Sequence, residues 1–135
     1  DILLSEDSVF AGKALMLGAS VIYCAEAKVF HSHYYGYRTQ WKRNFDIGVV
    51  HRQYEKIFKG LSSEQEGLRL VRYTAVYLLK KKRADLLPRL FLMSGVRYVA
   101  FECGKHYKVF PRMLVKQWSW DKEYWRRREH GRKQK

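Results

Sequence analysis

The stretch from Ser5 to His33, SEDSVFAGKALMLGASVIYCAEAKVFHSH, constrains the fold most, because its apolar spacing changes from helical to extended within a few turns. Phe10, Ala14 and Leu17 recur at near-helical intervals, and Gly18 follows as a C-terminal stop. Ser5 is placed to cap that helix, with Glu6 and Asp7 in a first turn where negative charge suits the helix dipole. Val21-Ile22-Tyr23 and Lys28-Val29-Phe30 then read as two short strands joined by Ala25-Glu26-Ala27, which carries no strong turn chemistry. Helix, strand, strand is an α/β pattern. It opens on two carboxylates and closes on two imidazoles, His31 and His33, and a chain folding back on itself would bring the two ends together.

After His33 the period becomes helical and stays so. Trp41, Phe45 and Val49 mark one face of a helix predicted over residues 37–58, with a kink allowed at Gly48. Gly60 to Ser63 breaks the pattern, and Ser62 or Ser63 with Gln65 or Glu66 offers a capping box. Leu68, Val71, Ala75, Leu78 and Leu79 form the next stripe, ending in the basic run Lys80 to Arg83. Asp85 and Pro88 begin a third long helix through Leu90, Met93, Val96, Ala100 and Phe101, which Gly104 is expected to end. In the tail KQWSWDKEYWRRREHGRKQK, Ser119 is the expected cap of a last short helix. The predicted organisation is an α/β portion over residues 1–35 followed by a mainly α-helical, basic region over residues 36–135.

With 47% hydrophobic residues the chain has the material for a core, and disorder throughout is excluded. Its 27 Lys and Arg against 13 Asp and Glu give a formal charge of +14, which favours polyanionic partners: nucleic acid, anionic lipid or phosphorylated substrates. A non-enzymatic basic module for nucleic acid or anionic membrane is therefore one reading, although no zinc-finger, RNP or KH pattern supports nucleic acid. No run of apolar residues reaches the roughly 20 needed to span a bilayer; Leu86 to Phe101 is interrupted by Arg89 and Arg97. Trp118, Trp120, Trp125 and Arg126 to Arg128 are residue types that favour a peripheral place at an anionic membrane surface. Cys24 and Cys103 lack CxxC spacing and read as buried, reduced thiols. A start at Asp1 running directly into Ile-Leu-Leu is read as the start of a piece of a longer protein. Hydrolase signatures such as a nucleophile elbow or HExxH are absent.

Three groups of residues carry candidate chemistry. Glu6 and Asp7 have the usual place of a helix cap or dipole partner, and alternatively are carboxylates able to accept a proton from a substrate hydroxyl. On a strand, His31 and His33 point to the same side, so both imidazoles can reach one metal ion; otherwise they are polar residues at a strand end. Arg38, Lys42 and Arg43 follow on the next helix, placed either to contact a diphosphate or to form a solvated basic face.

Taken together, an acid pair entering a helix, a glycine, VIY and then AKVFH resemble the C-terminal part of the GT-A catalytic domain of family 2 glycosyltransferases. The continuation HSHYY, WKRNFDIGVVH and the late WSWDKEYW are similar to the bacterial rhamnosyltransferase-like branch. The resemblance implies Asp7 as general base on the acceptor hydroxyl with Glu6 beside it. It implies His31, and less directly His33, as ligands of a divalent cation, Mn2+ or Mg2+. Arg43 and Arg38 would face the diphosphate of a nucleotide-sugar donor, and the acceptor would be a saccharide or lipid-linked saccharide. It further implies work in cytoplasmic polysaccharide synthesis, on the inner membrane face, with no nucleic-acid partner. One departure is large. Aspartate occurs only at positions 1, 7, 46, 85 and 121, so the family's Asp-x-Asp metal motif is missing, and the donor-binding half is expected outside this chain.

Overall fold

A computed structural model describes residues 2–30, 35–59 and 63–133. The described residues form helices and turns, with no strand among them. Seven α-helices follow in order: α1 (Glu6–Met16), α2 (Tyr37–Gln53), α3 (Glu55–Phe58), α4 (Ser63–Lys80), α5 (Leu87–Lys105), α6 (Arg112–Trp118) and α7 (Lys122–Lys133). Single 3-10 turns precede α5 and α6.

The expected α/β opening is therefore corrected. α1 forms and stops as the sequence indicates: Gly18 adopts φ 88°, and the amides of Gly18 and Ala19 donate to the carbonyls of Leu15 and Ala14, closing a Schellman turn. The two segments expected as strands are extended but unpaired, with Ile22 83% and Val29 86% exposed. β-branched composition states a preference for pleated backbone. A ladder also requires a neighbour to exchange hydrogen bonds, and none is present among the described residues. The join at Ala25-Glu26 turns despite its unpromising composition, through the Ala27 amide donating to the Cys24 carbonyl at 3.3 Å. Cys24 lies in this exposed stretch, contrary to its reading as a buried thiol.

The core is built on α2 and α5. Phe45, Val49 and Val50 of α2 and Ala100 of α5 are fully buried, joined by Leu3 and Val9 from the N-terminal segment and by Val115 and Tyr124 from the tail. Gly48 and Gly104 face one another where α2 and α5 meet, so the backbones touch: a Cβ at either glycine would lie 3.0 Å from the other's Cα and would also meet a main-chain carbonyl of the opposite helix. Gly104 accordingly does not end α5, which continues to Lys105, and Gly48 sits within a continuous α2. Both glycines read as helix breakers in sequence because their reason for being glycine is a contact many residues away. The one long helix expected over 37–58 breaks at Tyr54, where φ −112° and ψ 36° leave the helical region, and α3 restarts to pack against α1.

The tail is clamped onto this pair. Trp118 packs edge-on against Trp41, Phe45 and Phe110 with ring centroids 5.6, 5.8 and 5.1 Å away. Ser119 ends α6 rather than capping α7. The cap of α7 is Asp121, whose Oδ1 accepts from the amides of Glu123 and Tyr124 at 2.9 and 3.0 Å.

Candidate functional site

Glu6 and Asp7 occupy the first turn of α1, both exposed. Ser5, in the left-handed region at φ 59°, makes no side-chain cap. Its place is taken by Asp7, whose Oδ1 accepts from the Ser8 amide at 2.7 Å and the Ser8 hydroxyl at 3.4 Å. Both bonds fall on one carboxylate oxygen and hold the group at the solvent-facing end of the helix. Val9 is buried two residues later, and Gly12 abuts Ile57 of α3, so the exposed acid pair stands on an anchored helix.

Arg38 and Arg43 lie on exposed positions of α2, and the Arg43 guanidinium sits over the Tyr35 ring at 5.5 Å from its centroid. α1 packs against α3, not against the first turns of α2, so the packing does not gather the acid pair and these arginines into one cluster. His31 and His33 lie outside the described residues. Among the described residues no group of three or more His, Cys, Asp or Glu is placed to hold a metal ion.

A different set of cations is gathered by the fold. A cavity of about 1200 Å3 opens between the end of α2, the 3-10 turn at Tyr107–Val109, α6 and α7. Arg52, Lys108, Arg112, Lys116, Arg127 and Arg128 line it, against a single acid, Glu129. Lys116 reaches Glu129 at 2.6 Å, and the Arg128 guanidinium donates to the Tyr124 hydroxyl at 2.7 Å. That hydroxyl in turn donates to Gln53 Oε1 at 2.9 Å. Tyr107 and Trp125, with centroids 5.6 Å apart, form an aromatic wall. Such a lining suits an anionic ligand bearing an apolar or sugar part. Sequence reasoning missed it because its members come from separate elements and are joined only by the tail's return to α2.

Asp46 is buried in α2, and its Oδ2 accepts from the Trp120 amide at 2.8 Å. Burial raises its pKa to about 6, offset in part by the neighbouring Ser119 hydroxyl and the Trp120 amide. Oδ1 and the Ser119 hydroxyl are both buried with no hydrogen bond of standard geometry. Burial likewise pushes the Cys103 thiol up, helped by Glu102.

Comparison with known proteins shows what the chain is similar to. Over 126 residues, 91% of its length, the chain is similar to bacterial O-antigen chain rhamnosyltransferases, the likeness its motifs indicated. It is 35% identical to the O-antigen chain rhamnosyltransferase RfbN of Salmonella typhimurium and 33% identical to the O-antigen chain rhamnosyltransferase WbaN of Salmonella anatum. The chain spans 39% of the length of each of these curated relatives. No protein-family model and no solved structure matches it.

Proposed function

We propose that this chain supplies the acceptor-activating side of an inverting, family 2 sugar transfer in cell-surface polysaccharide synthesis. The donor is a nucleotide-sugar, with rhamnose suggested by the relatives' names, and the acceptor is a saccharide or lipid-linked saccharide. The reaction is assigned to the cytoplasm. Similarity to rhamnosyltransferases along 91% of the chain carries the reading, and the exposed acid pair on a fixed helix gives it a chemical group.

In the proposed step the Asp7 carboxylate takes the proton of the acceptor hydroxyl. That oxygen bonds to the anomeric carbon from the face opposite the leaving group. The bond from this carbon to the phosphate oxygen breaks, and the nucleoside diphosphate departs with the electron pair. Proximity and proton removal are what the residues of this chain contribute. Positive charge to meet phosphate is available from Arg38 and Arg43 and from the cavity at the end of α2. His31 and His33 are assigned to a Mn2+ or Mg2+ ion accompanying the nucleotide.

The test is transfer by the full-length enzyme. Asp7→Asn is expected to lower kcat by at least 100-fold, the usual share of a general base, with nucleotide-sugar binding retained. Near-normal turnover would remove Asp7 from the reaction. Loss of donor binding alongside turnover would indicate a structural role instead.

A further inference from the structure

We infer that the hairpin of α4 and α5 docks on the surface of an anionic lipid bilayer. Large apolar side chains stand exposed on this hairpin. Phe91, Leu92, Tyr98 and Val99 fall at the i, i+1, i+7, i+8 positions of one stripe along α5, with Gly95 between them at i+4. These four large residues are 56%, 59%, 57% and 49% exposed, and the stripe carries no charge.

α4, roughly 27 Å long by its helical rise, adds a second apolar surface. Val71, Ala75 and Leu78 are its half-buried side, while Leu70, Tyr73 and Tyr77 remain 65%, 73% and 53% exposed. α5 has its opposite face in the core through Ala100 and Gly104, so the exposed stripe is unused by the fold.

The charges on the same hairpin choose the occupant. Arg69 and Arg72 lie on the exposed side of α4, Lys80 ends that helix, and Lys81, Lys82 and Arg83 follow in the turn; of these, Arg69 pairs with Glu66 at 3.7 Å and Arg83 with Asp85 at 3.0 Å. Long cationic side chains beside an apolar stripe with tyrosines match the headgroup and upper acyl layers of an anionic leaflet. No described helix is long and apolar enough to cross a membrane, which leaves contact in the plane of the interface. The tryptophans of the tail supply little of this surface. Trp118 and Trp125 are taken up in aromatic packing, and only Trp120 is well exposed, at 61%.

The experiment is co-sedimentation of the full-length protein with vesicles of phosphatidylcholine alone or with 30% phosphatidylglycerol, an added proportion chosen at about the level of an anionic leaflet. Binding is expected only to the anionic vesicles and to weaken as salt rises. Phe91→Glu with Tyr98→Glu should abolish it, and Lys80→Gln with Lys81→Gln should weaken it by more than about 10-fold. Trp120→Ala should leave it nearly unchanged. Circular dichroism checks that each variant folds, and transfer to a water-soluble acceptor shows the reaction intact. The inference is overturned if the wild-type protein ignores anionic vesicles or if the stripe variant still binds them. It is also overturned if the stripe variant changes only the oligomeric mass, which would mark the stripe as a protein contact. None of these results bears on the assignment of Asp7.

Discussion

Replacing Asp46 by asparagine should make the protein more stable at pH 8 and leave it nearly unchanged at pH 4. The folded state raises the carboxyl from its ordinary 3.8 to about 6, chiefly by burial. A raised carboxylate pKa means that the folded state holds its proton more tightly than the unfolded chain does. The stability this contributes is fully present below about pH 4 and is lost as pH rises through 6, after which the curve is flat. At 1.36 kcal/mol per pH unit, the shift amounts to roughly 3 kcal/mol between the two plateaus. Asparagine cannot ionise and keeps an oxygen able to accept from the Trp120 amide, the bond Asp46 makes at 2.8 Å. Urea unfolding of both proteins at intervals from pH 4 to pH 8 gives two curves. Their difference isolates this one carboxyl because the other titrating groups are common to both. The difference should open by a few kcal/mol, with its midpoint near pH 5, midway between the unfolded and folded pKa values. Parallel curves would refute the reasoning, since they would mean that Asp46 ionises in the fold as easily as in water. Asp46→Leu provides the complementary case: it removes the acceptor as well as the charge and should release the tail, lowering stability at both ends of the range.

Glycine substitutions should change stability in opposite directions depending on what each Cβ meets. Gly104→Ala forces a methyl into the α2 backbone at the Phe45 carbonyl and should cost about 3 kcal/mol or more in urea unfolding. Gly67→Ala and Gly95→Ala, with nothing within 4 Å, should each gain about 0.5–1 kcal/mol from helix propensity; a loss at either would show a contact not accounted for. Lys82 ends α4 in the left-handed region at φ 56°, so Lys82→Gly should raise the urea midpoint by the equivalent of about 1 kcal/mol. Asp121→Ala removes the acceptor for two amides at the start of α7 and should cost about 1 kcal/mol, visible as early loss of helix signal on heating.

The helical two-thirds of the chain was legible because its cues are local. Trp41, Phe45 and Val49 repeat at helical spacing, the break after Gly60 separates two periodic stretches, and Pro88 sits in the first turn of α5. Cues that depend on distant partners misled. Val21 to Tyr23 is a good strand sequence without a partner among the described residues. Gly104 looked like a stop and is a point of closest approach, and Ser119 looked like a cap beside the aspartate that fills that role. The acid pair is proposed from its order ahead of glycine and histidine, a pattern carried entirely along the chain. The cationic cavity had no such order to reveal it, because Arg52 is brought to Arg127 and Arg128 only by folding.

The basic-aromatic tail shows how one composition divides into two roles by position. Trp118, Tyr124 and Trp125 face α2 or the 3-10 turn, and their packing fixes the direction of α6 and α7. Cations interleaved with them cannot enter that packing, since an unpaired buried charge would cost several kcal/mol. They are turned instead toward the cavity, as Lys116 and Arg128 are, or toward solvent-exposed partners, as Arg126 is toward Glu123 at 2.9 Å. The aromatic residues thus pay for order in a segment whose charge alone would leave it extended. That order converts a run of positive charge into a shaped, cation-lined cavity. A tail with its tryptophans replaced by leucine should therefore keep its charge and lose the cavity, so that net attraction to polyanions persists while selective binding of a phosphate-bearing ligand disappears.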